Sequence, residues 1–173
     1  MAKFALLSEQ ETRRFGRALG ERLRPGDVVG LVGDLGTGKT TLTQAIARGM
    51  GIGAPVTSPT FALIHEYRGP IPLFHIDPYR LEQPEEIEDL GFEEYFERGG
   101  VVIVEWADRV AELLPPERLT LTLTMLEAPP DAALDTEAPR LLTAEATGER
   151  YENLLAELAA LPQLKALGKA AAP

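Results

Sequence analysis

An α/β fold is predicted for this chain by three observations. Two short, continuous apolar runs, Val28 to Val32 and Val101 to Val104, have the pattern of strands buried on both faces. Segments with apolar residues at helical spacing alternate with them. A glycine-rich stretch, Gly33 to Thr40, joins the first run directly to one of those helical segments. At 173 residues the chain suits one compact domain with a genuine core, and no internal repeat or domain boundary interrupts it.

Taken in order, Ser8-Glu9-Gln10-Glu11 is a capping-box pattern: Ser at the N-cap and Glu three residues on. Phe15, Leu19 and Leu23 repeat at helical spacing until Pro25-Gly26 stops the helix, and Met1-Ala2-Lys3 leads into this amphipathic stretch. After the glycine-rich stretch, Leu42, Ala45 and Ile46 mark one face of a second helix, ended by Gly49, Gly51 and Gly53. Phe61 to Tyr67 and Ile71 to Ile76 read as strands of a hairpin turned at Arg68-Gly69-Pro70. Pro84 opens an acid-rich helix over Glu85 to Phe96, with Ile87, Leu90 and Tyr95 on its apolar face. Beyond the Val101 strand a short helix through Val110 to Leu114 is halted by Pro115-Pro116. Leu119 to Thr124 alternates as a strand with one wet face, and Leu141 to Ala146 is its candidate partner across a loop, Glu127 to Pro139. Tyr151, Leu154, Leu155 and Leu158 mark a last helix. The domain is therefore drawn as residues 1–160, and 161–173 as a flexible tail.

The bulk properties exclude several classes. No apolar run approaches the roughly 20 residues needed to span a bilayer, and the start lacks a signal-peptide core, so a cytoplasmic protein is expected. Without cysteine there are neither disulfides nor thiolate metal sites. A net charge of −10 argues against independent nucleic-acid binding, although such a chain can work near RNA if a partner does the gripping. Lys39 is the only lysine between Phe4 and Lys165, and it lies inside the glycine-rich stretch.

That stretch, Gly33-Asp34-Leu35-Gly36-Thr37-Gly38-Lys39-Thr40, matches G-x-x-x-x-G-K-[ST] in full, with a buried strand before it and a helix after it. Glycines at 33, 36 and 38 let backbone N–H groups, including that of Thr37, converge on phosphate without Cβ obstruction. The helix N-terminus adds its positive dipole end. Lys39 is expected to reach the β- and γ-phosphates, Thr40 to ligate Mg²⁺ and Thr41 to bond the α-phosphate. This is the signature of a P-loop NTPase domain, with ATP and Mg²⁺ as cofactors.

Glu105, closing the Val101 strand, has the place of a Walker B carboxylate that holds Mg²⁺, although acids are also common at strand ends. Trp106, the only tryptophan, fits core packing, a pocket wall or a partner anchor. Asp77, in His75-Ile76-Asp77-Pro78-Tyr79-Arg80, is a candidate to orient the attacking water or to bind the metal's water shell, and Thr60, in Thr57-Ser58-Pro59-Thr60-Phe61, to sense the γ-phosphate. Arg80 is a candidate to steady transition-state charge. Asp77-Pro78 and Ser58-Pro59 are also common turn openers, and His75 equally suits a hydrogen-bonded core position.

Together, the phosphate loop, Ser58-Pro59-Thr60-Phe61, His75 to Arg80 and Glu105-Trp106 resemble the TsaE (YjeE) family, ATPases of tRNA threonylcarbamoyladenosine biosynthesis. The resemblance runs from about Ser8 to Leu123. It implies a single P-loop domain with a mainly parallel central sheet flanked by helices. It also implies weak ATP hydrolysis by the free protein and partnership with TsaD and TsaB, tRNA being met only indirectly. Carried over by position, Lys39 and Thr40 hold phosphate and Mg²⁺, Glu105 is the second Mg²⁺ contact and Asp77 serves hydrolysis. Thr60 belongs to a switch-like loop, Trp106 lies near the site, and the segment near Ser8 helps frame the adenine. One departure is Ala107, where many members carry proline.

The chief rival function is a small-molecule or nucleoside kinase using the same loop, for which no arginine-bearing lid or acceptor pocket stands out. A regulatory GTPase would need a guanine-reading Asn-Lys-x-Asp, and no lysine falls between Lys39 and Lys165. A non-catalytic nucleotide-dependent binding module is the third alternative.

Overall fold

Alternating burial along the strands decides how this chain folds. In the computed structural model, which describes residues 1–59, 62–81, 87, 91–127 and 138–165, every residue of β5 (Val101–Glu105) is buried. Val101 and Ile103 enter one apolar core, Val102 and Val104 a second on the opposite face. A strand with two apolar faces has to lie inside a sheet covered on both sides.

Seven strands form that sheet: β1 (Ala2–Leu6), β2 (Val28–Val32), β3 (Ile64–Tyr67), β4 (Leu73–Ile76), β5, β6 (Arg118–Met125) and β7 (Arg140–Thr147), in the order β1-β7-β6-β2-β5-β4-β3. The expectation of a mainly parallel sheet is corrected to a mixed one. β6, β2, β5 and β4 run parallel, but β1, β7 and β3 join through antiparallel pairings. The alternating pattern of β6 signals such a neighbour, because an antiparallel strand can keep one face wet. β1 itself was not anticipated as a strand. Its short alternation, with Phe4 and Leu6 buried, has no turn signal ahead of it and runs straight into the helix cap.

Helices α1 (Glu9–Gly20), α2 (Lys39–Gly49) and α4 (Glu149–Ala160) contribute to the larger core. Ser8 caps α1 as expected, its Oγ accepting from Glu11 N–H at 3.3 Å while Glu11 Oε2 accepts from Leu7 N–H at 2.6 Å. As expected, α2 ends at Gly49, which also serves close packing. A Cβ there would lie 2.2 Å from Arg17 O, and one on Gly20 would lie 2.1 Å from Ile46 O. The two glycines thus let the backbones of α1 and α2 nearly touch. On the other face a 3₁₀ helix, Ala107–Leu113, carries Ala107 and Val110 into the smaller core.

Three further expectations fall partly on undescribed residues. Of the acid-rich helix expected over Glu85 to Phe96, residues 85, 86 and 88–90, Leu90 included, lie outside the described residues. Ile87 is helical, Gly91 turns with φ of 68°, and Glu94–Glu97 forms the helix α3. The loop over Glu127 to Pro139 falls mostly on undescribed residues. In the segment expected to fray, Pro162–Lys165 forms helix α5 and Leu164 is fully buried.

The last elements are clasped to the start of β2. Arg150 donates through Nε and Nη2 to the two oxygens of buried Asp27, and the Tyr151 hydroxyl accepts from Val28 N–H at 2.7 Å. Among the described residues no helix is long and apolar enough to cross a membrane.

Gly20→Ala is expected to push α1 and α2 apart and to destabilise the fold by about 1–3 kcal/mol, the usual cost of overpacking. A denaturant titration checks this; an unchanged midpoint would show that the helices can separate freely.

Candidate functional site

The loop between β2 and α2 is shaped by backbone that only glycine tolerates. Gly33 sits at φ 144°, where a Cβ would come within 2.4 Å of Leu123 O, and Gly38 caps α2 at φ 101°. Thr37 folds the turn on itself, its hydroxyl donating to Asp34 O at 2.9 Å. Lys39, almost fully buried, donates from Nζ to Gly33 O at 2.6 Å and Asp34 O at 2.9 Å. The same ammonium lies 3.7 Å from the centre of the Trp106 ring. Burial holds its pKa below the ordinary lysine value, outweighing the opposite pull of Glu105, Asp77, Asp108 and Asp34.

The parallel register of β4 and β5 aligns Ile76 with Val104, so the next residues, Asp77 and Glu105, emerge side by side at the strand ends. Period-two alternation puts both, with His75, on the face that α2 covers. Glu105 is buried and receives three donors. Thr40 Oγ1 donates to Oε2 at 3.0 Å, and Oε1 accepts from Thr43 Oγ1 at 3.2 Å and His75 Nε2 at 2.9 Å. Because an ionised carboxylate only accepts, His75 donates to it from Nε2, and its buried Nδ1 has no partner among the described residues.

Asp77 is held as tightly. Ser58 Oγ donates to Oδ2 at 2.6 Å and Tyr79 N–H to Oδ1 at 3.1 Å, while its own N–H donates to Leu63 O at 2.9 Å. Leu63 adopts φ of 61° and Trp106 φ of 53°, so both segments flanking the site contain backbone that side-chain-bearing residues rarely take. Tyr79 packs on Trp106 with ring centroids 4.8 Å apart. Arg109 lies over both rings and donates to Tyr79 O at 2.7 Å and Leu81 O at 3.1 Å.

These groups surround a cavity of about 410 Å³. Of the expected site residues, Gly36, Gly38, Lys39, Thr40, Thr41, Asp77 and Glu105 line it, and so does Trp106. Gly33 and Thr37 shape the loop behind it. Ser8 is occupied in capping α1 and does not line the cavity, and neither does exposed Arg80. Thr60 lies outside the described residues. Sequence reasoning missed Thr43 and Arg109 altogether. Thr43 could have been found one helical turn after Lys39 and Thr40, on the face of α2 they share; Arg109 carries no local signal. No group of three or more His, Asp or Glu side chains among the described residues could hold a metal alone. The hard oxygens of Thr40 and Glu105, adjacent and facing an open cavity, suit a Mg²⁺ that keeps most of its coordination for water and phosphate.

Residues 6–130 match the family described as "Threonylcarbamoyl adenosine biosynthesis protein TsaE". The tRNA threonylcarbamoyladenosine biosynthesis protein TsaE of Bacillus subtilis is 45% identical over 157 residues, covering 90% of this chain and 92% of that protein. The protein of the same description from a Nostoc species is 47% identical over 115 residues, 64% of this chain and 70% of that one. The crystal structure of Bacillus subtilis YdiB superposes with a TM-score of 0.75 at 38% identity, covering 91% of this chain and 93% of that one.

Two outcomes follow from this geometry. His75→Phe leaves the Glu105 carboxylate short of a buried donor and is expected to cost about 1–3 kcal/mol, read from the denaturant midpoint. Lys39 should titrate below 10.5 in the folded protein, as followed by NMR of its ammonium group. The unfolded chain then binds this proton more tightly, so the Lys39 contribution to stability rises with pH between the lowered folded value and 10.5. Lys39→Met should remove that slope; an unchanged slope would show that burial does not govern this lysine.

Proposed function

The chain belongs to the TsaE family of threonylcarbamoyl adenosine biosynthesis proteins, and on that premise we propose that it is a Mg²⁺-dependent P-loop ATPase. It hydrolyses ATP to ADP and phosphate, weakly when alone, in support of tRNA threonylcarbamoyladenosine modification with TsaD and TsaB. The tRNA is met through those partners, in keeping with the net charge of −10. The observation that carries this reading is the convergence on one cavity of a glycine loop at a helix N-terminus, Lys39, Thr40, Glu105 and Asp77.

Phosphate oxygens are received by the N–H groups at the start of α2, where the helix dipole adds to the attraction. Lys39 leaves the carbonyls of Gly33 and Asp34 for the phosphates. The Thr40 hydroxyl and Glu105 would hold Mg²⁺, which when bound would supply charge neutralisation to the phosphate chain. Thr43 and His75 keep the Glu105 carboxylate turned toward Thr40. Asp77, its oxygens oriented by Ser58 and the Tyr79 N–H, takes the role of positioning the attacking water and drawing its proton. The Trp106–Tyr79 stack forms one wall and limits water around the lysine.

Phosphate release by the full-length protein with ATP and Mg²⁺, with and without TsaD and TsaB, tests the reading. Asp77→Ala should bind ATP normally and lose hydrolysis by about 10²–10⁴-fold, the usual range for a positioned acid or base, whereas Lys39→Ala should weaken binding itself. ADP formation only in the presence of an acceptor substrate would replace the ATPase with a kinase. Normal hydrolysis by Asp77→Ala would remove that residue from its role.

A further inference from the structure

The phosphate loop is gripped from outside by a residue far from it in sequence. Arg140, the first residue of β7, donates from Nε to Thr37 O at 2.8 Å and from Nη1 to Ala138 O at 3.3 Å. Its guanidinium lies against Gly38, where an added Cβ would be 3.4 Å from Nε and 3.9 Å from Cζ. Gly38 lines the cavity and Arg140 does not, so the arginine holds the loop from behind.

The Thr37–Gly38 peptide is trans and planar, so its C=O and N–H point in opposite directions. Drawing the Thr37 carbonyl toward Arg140 turns the Gly38 N–H the other way, and no group among the described residues accepts that N–H. The glycine that opens the loop to phosphate also leaves this peptide free to flip, because Gly38, at φ 101°, tolerates either sign of φ at little cost. Thr37 cannot prevent the flip through its own side chain, since its hydroxyl is committed to Asp34 O. The constraint comes from β7. A charged donor on the carbonyl also polarises the peptide and makes its N–H a stronger donor.

We propose that Arg140 is a positioning residue for nucleotide binding: it holds the Thr37–Gly38 peptide with its N–H toward the phosphates. The inference rests on the ATP-binding reading of the cavity. Consequently, part of the phosphate affinity is set by a strand on the opposite side of β2 from the hairpin that leads to Asp77.

The test uses the full-length protein and three substitutions: Arg140→Met, which keeps the apolar stem, Arg140→Lys, which keeps a charged donor, and Lys39→Ala. Dissociation constants for ATP and ADP with Mg²⁺ are measured by calorimetry, kcat and KM by phosphate release, and the nucleotide-free Gly38 amide resonance by ¹⁵N NMR. Arg140→Met is expected to weaken ATP and ADP alike by roughly tenfold, the scale of one orienting hydrogen bond, to raise KM with kcat nearly unchanged, and to shift the Gly38 amide. Arg140→Lys should recover most of the affinity and return the resonance toward its original position. Wild-type affinity in folded Arg140→Met overturns the proposal, and so does an unmoved Gly38 amide. If Arg140→Met fails to fold, the Lys variant decides: weakened binding without a Gly38 shift overturns the proposal, while a graded shift that tracks affinity supports it. Should the unsubstituted protein and Lys39→Ala bind ATP equally poorly, the ATP reading itself falls. If only Lys39→Ala loses binding, the Arg140 proposal falls alone.

Discussion

The carboxylate of Glu105 joins the elements on which the site depends. It closes the interior strand β5 and is buried beneath α2, where two hydroxyls of that helix and the ring of His75 on β4 all donate to it. An ionised acid is expensive to bury without such partners. The three bonds therefore stabilise the acid and, in the same act, fix the start of α2 against the ends of two parallel strands. The glycine loop has to close the short gap from β2 to that fixed helix. Its positive-φ glycine conformations at 33 and 38 follow from this geometric demand.

Asp77 extends the same logic to the next strand. Parallel pairing of β4 with β5 brings it level with Glu105, and Ser58 and the backbone of Tyr79 aim its oxygens. Two residues with side chains, Leu63 and Trp106, take left-handed backbone on either side of the cavity. Conformations that cost stability persist where surrounding contacts over-determine them. For Leu63 that contact is its carbonyl receiving the Asp77 N–H, and for Trp106 the packing of Tyr79, Arg109 and Lys39 around the indole. Lys39 belongs to the same economy: buried and bonded to the carbonyls of its own loop, it is stored beside the place where the reading of the site needs it.

Much of this could be read in the chain before its structure. The capping box at Ser8 forms, and the Val28 and Val101 runs are adjacent parallel strands. The hairpin turned near Gly69 and the pairing of β6 with β7 are also present, with strand ends shifted by a few residues. The failures have local causes. β1 is too short for its alternation to stand apart from the following cap, and the packing of Gly49 against α1 has no signal apart from the helix end that the same glycine marks. The weight of antiparallel pairing was missed because β1 and β7 are paired with each other across almost the whole chain.

For the site, the sequence by itself determined which chemistry is available. The glycines, the lone lysine and the following threonines form a contiguous motif whose function depends on backbone conformation and helix direction, both local properties. Asp77 and Glu105 were marked by another local property, an acid ending an apolar run. Only the tertiary structure decided what these residues are joined to. Thr43 and His75 share one carboxylate, Ser8 is spent on a helix cap, Arg109 clamps an aromatic pair and Arg140 reaches the loop across more than a hundred residues of chain. Such partnerships depend on strand order and register, which arise from packing the whole sheet and leave no periodic trace around any single residue.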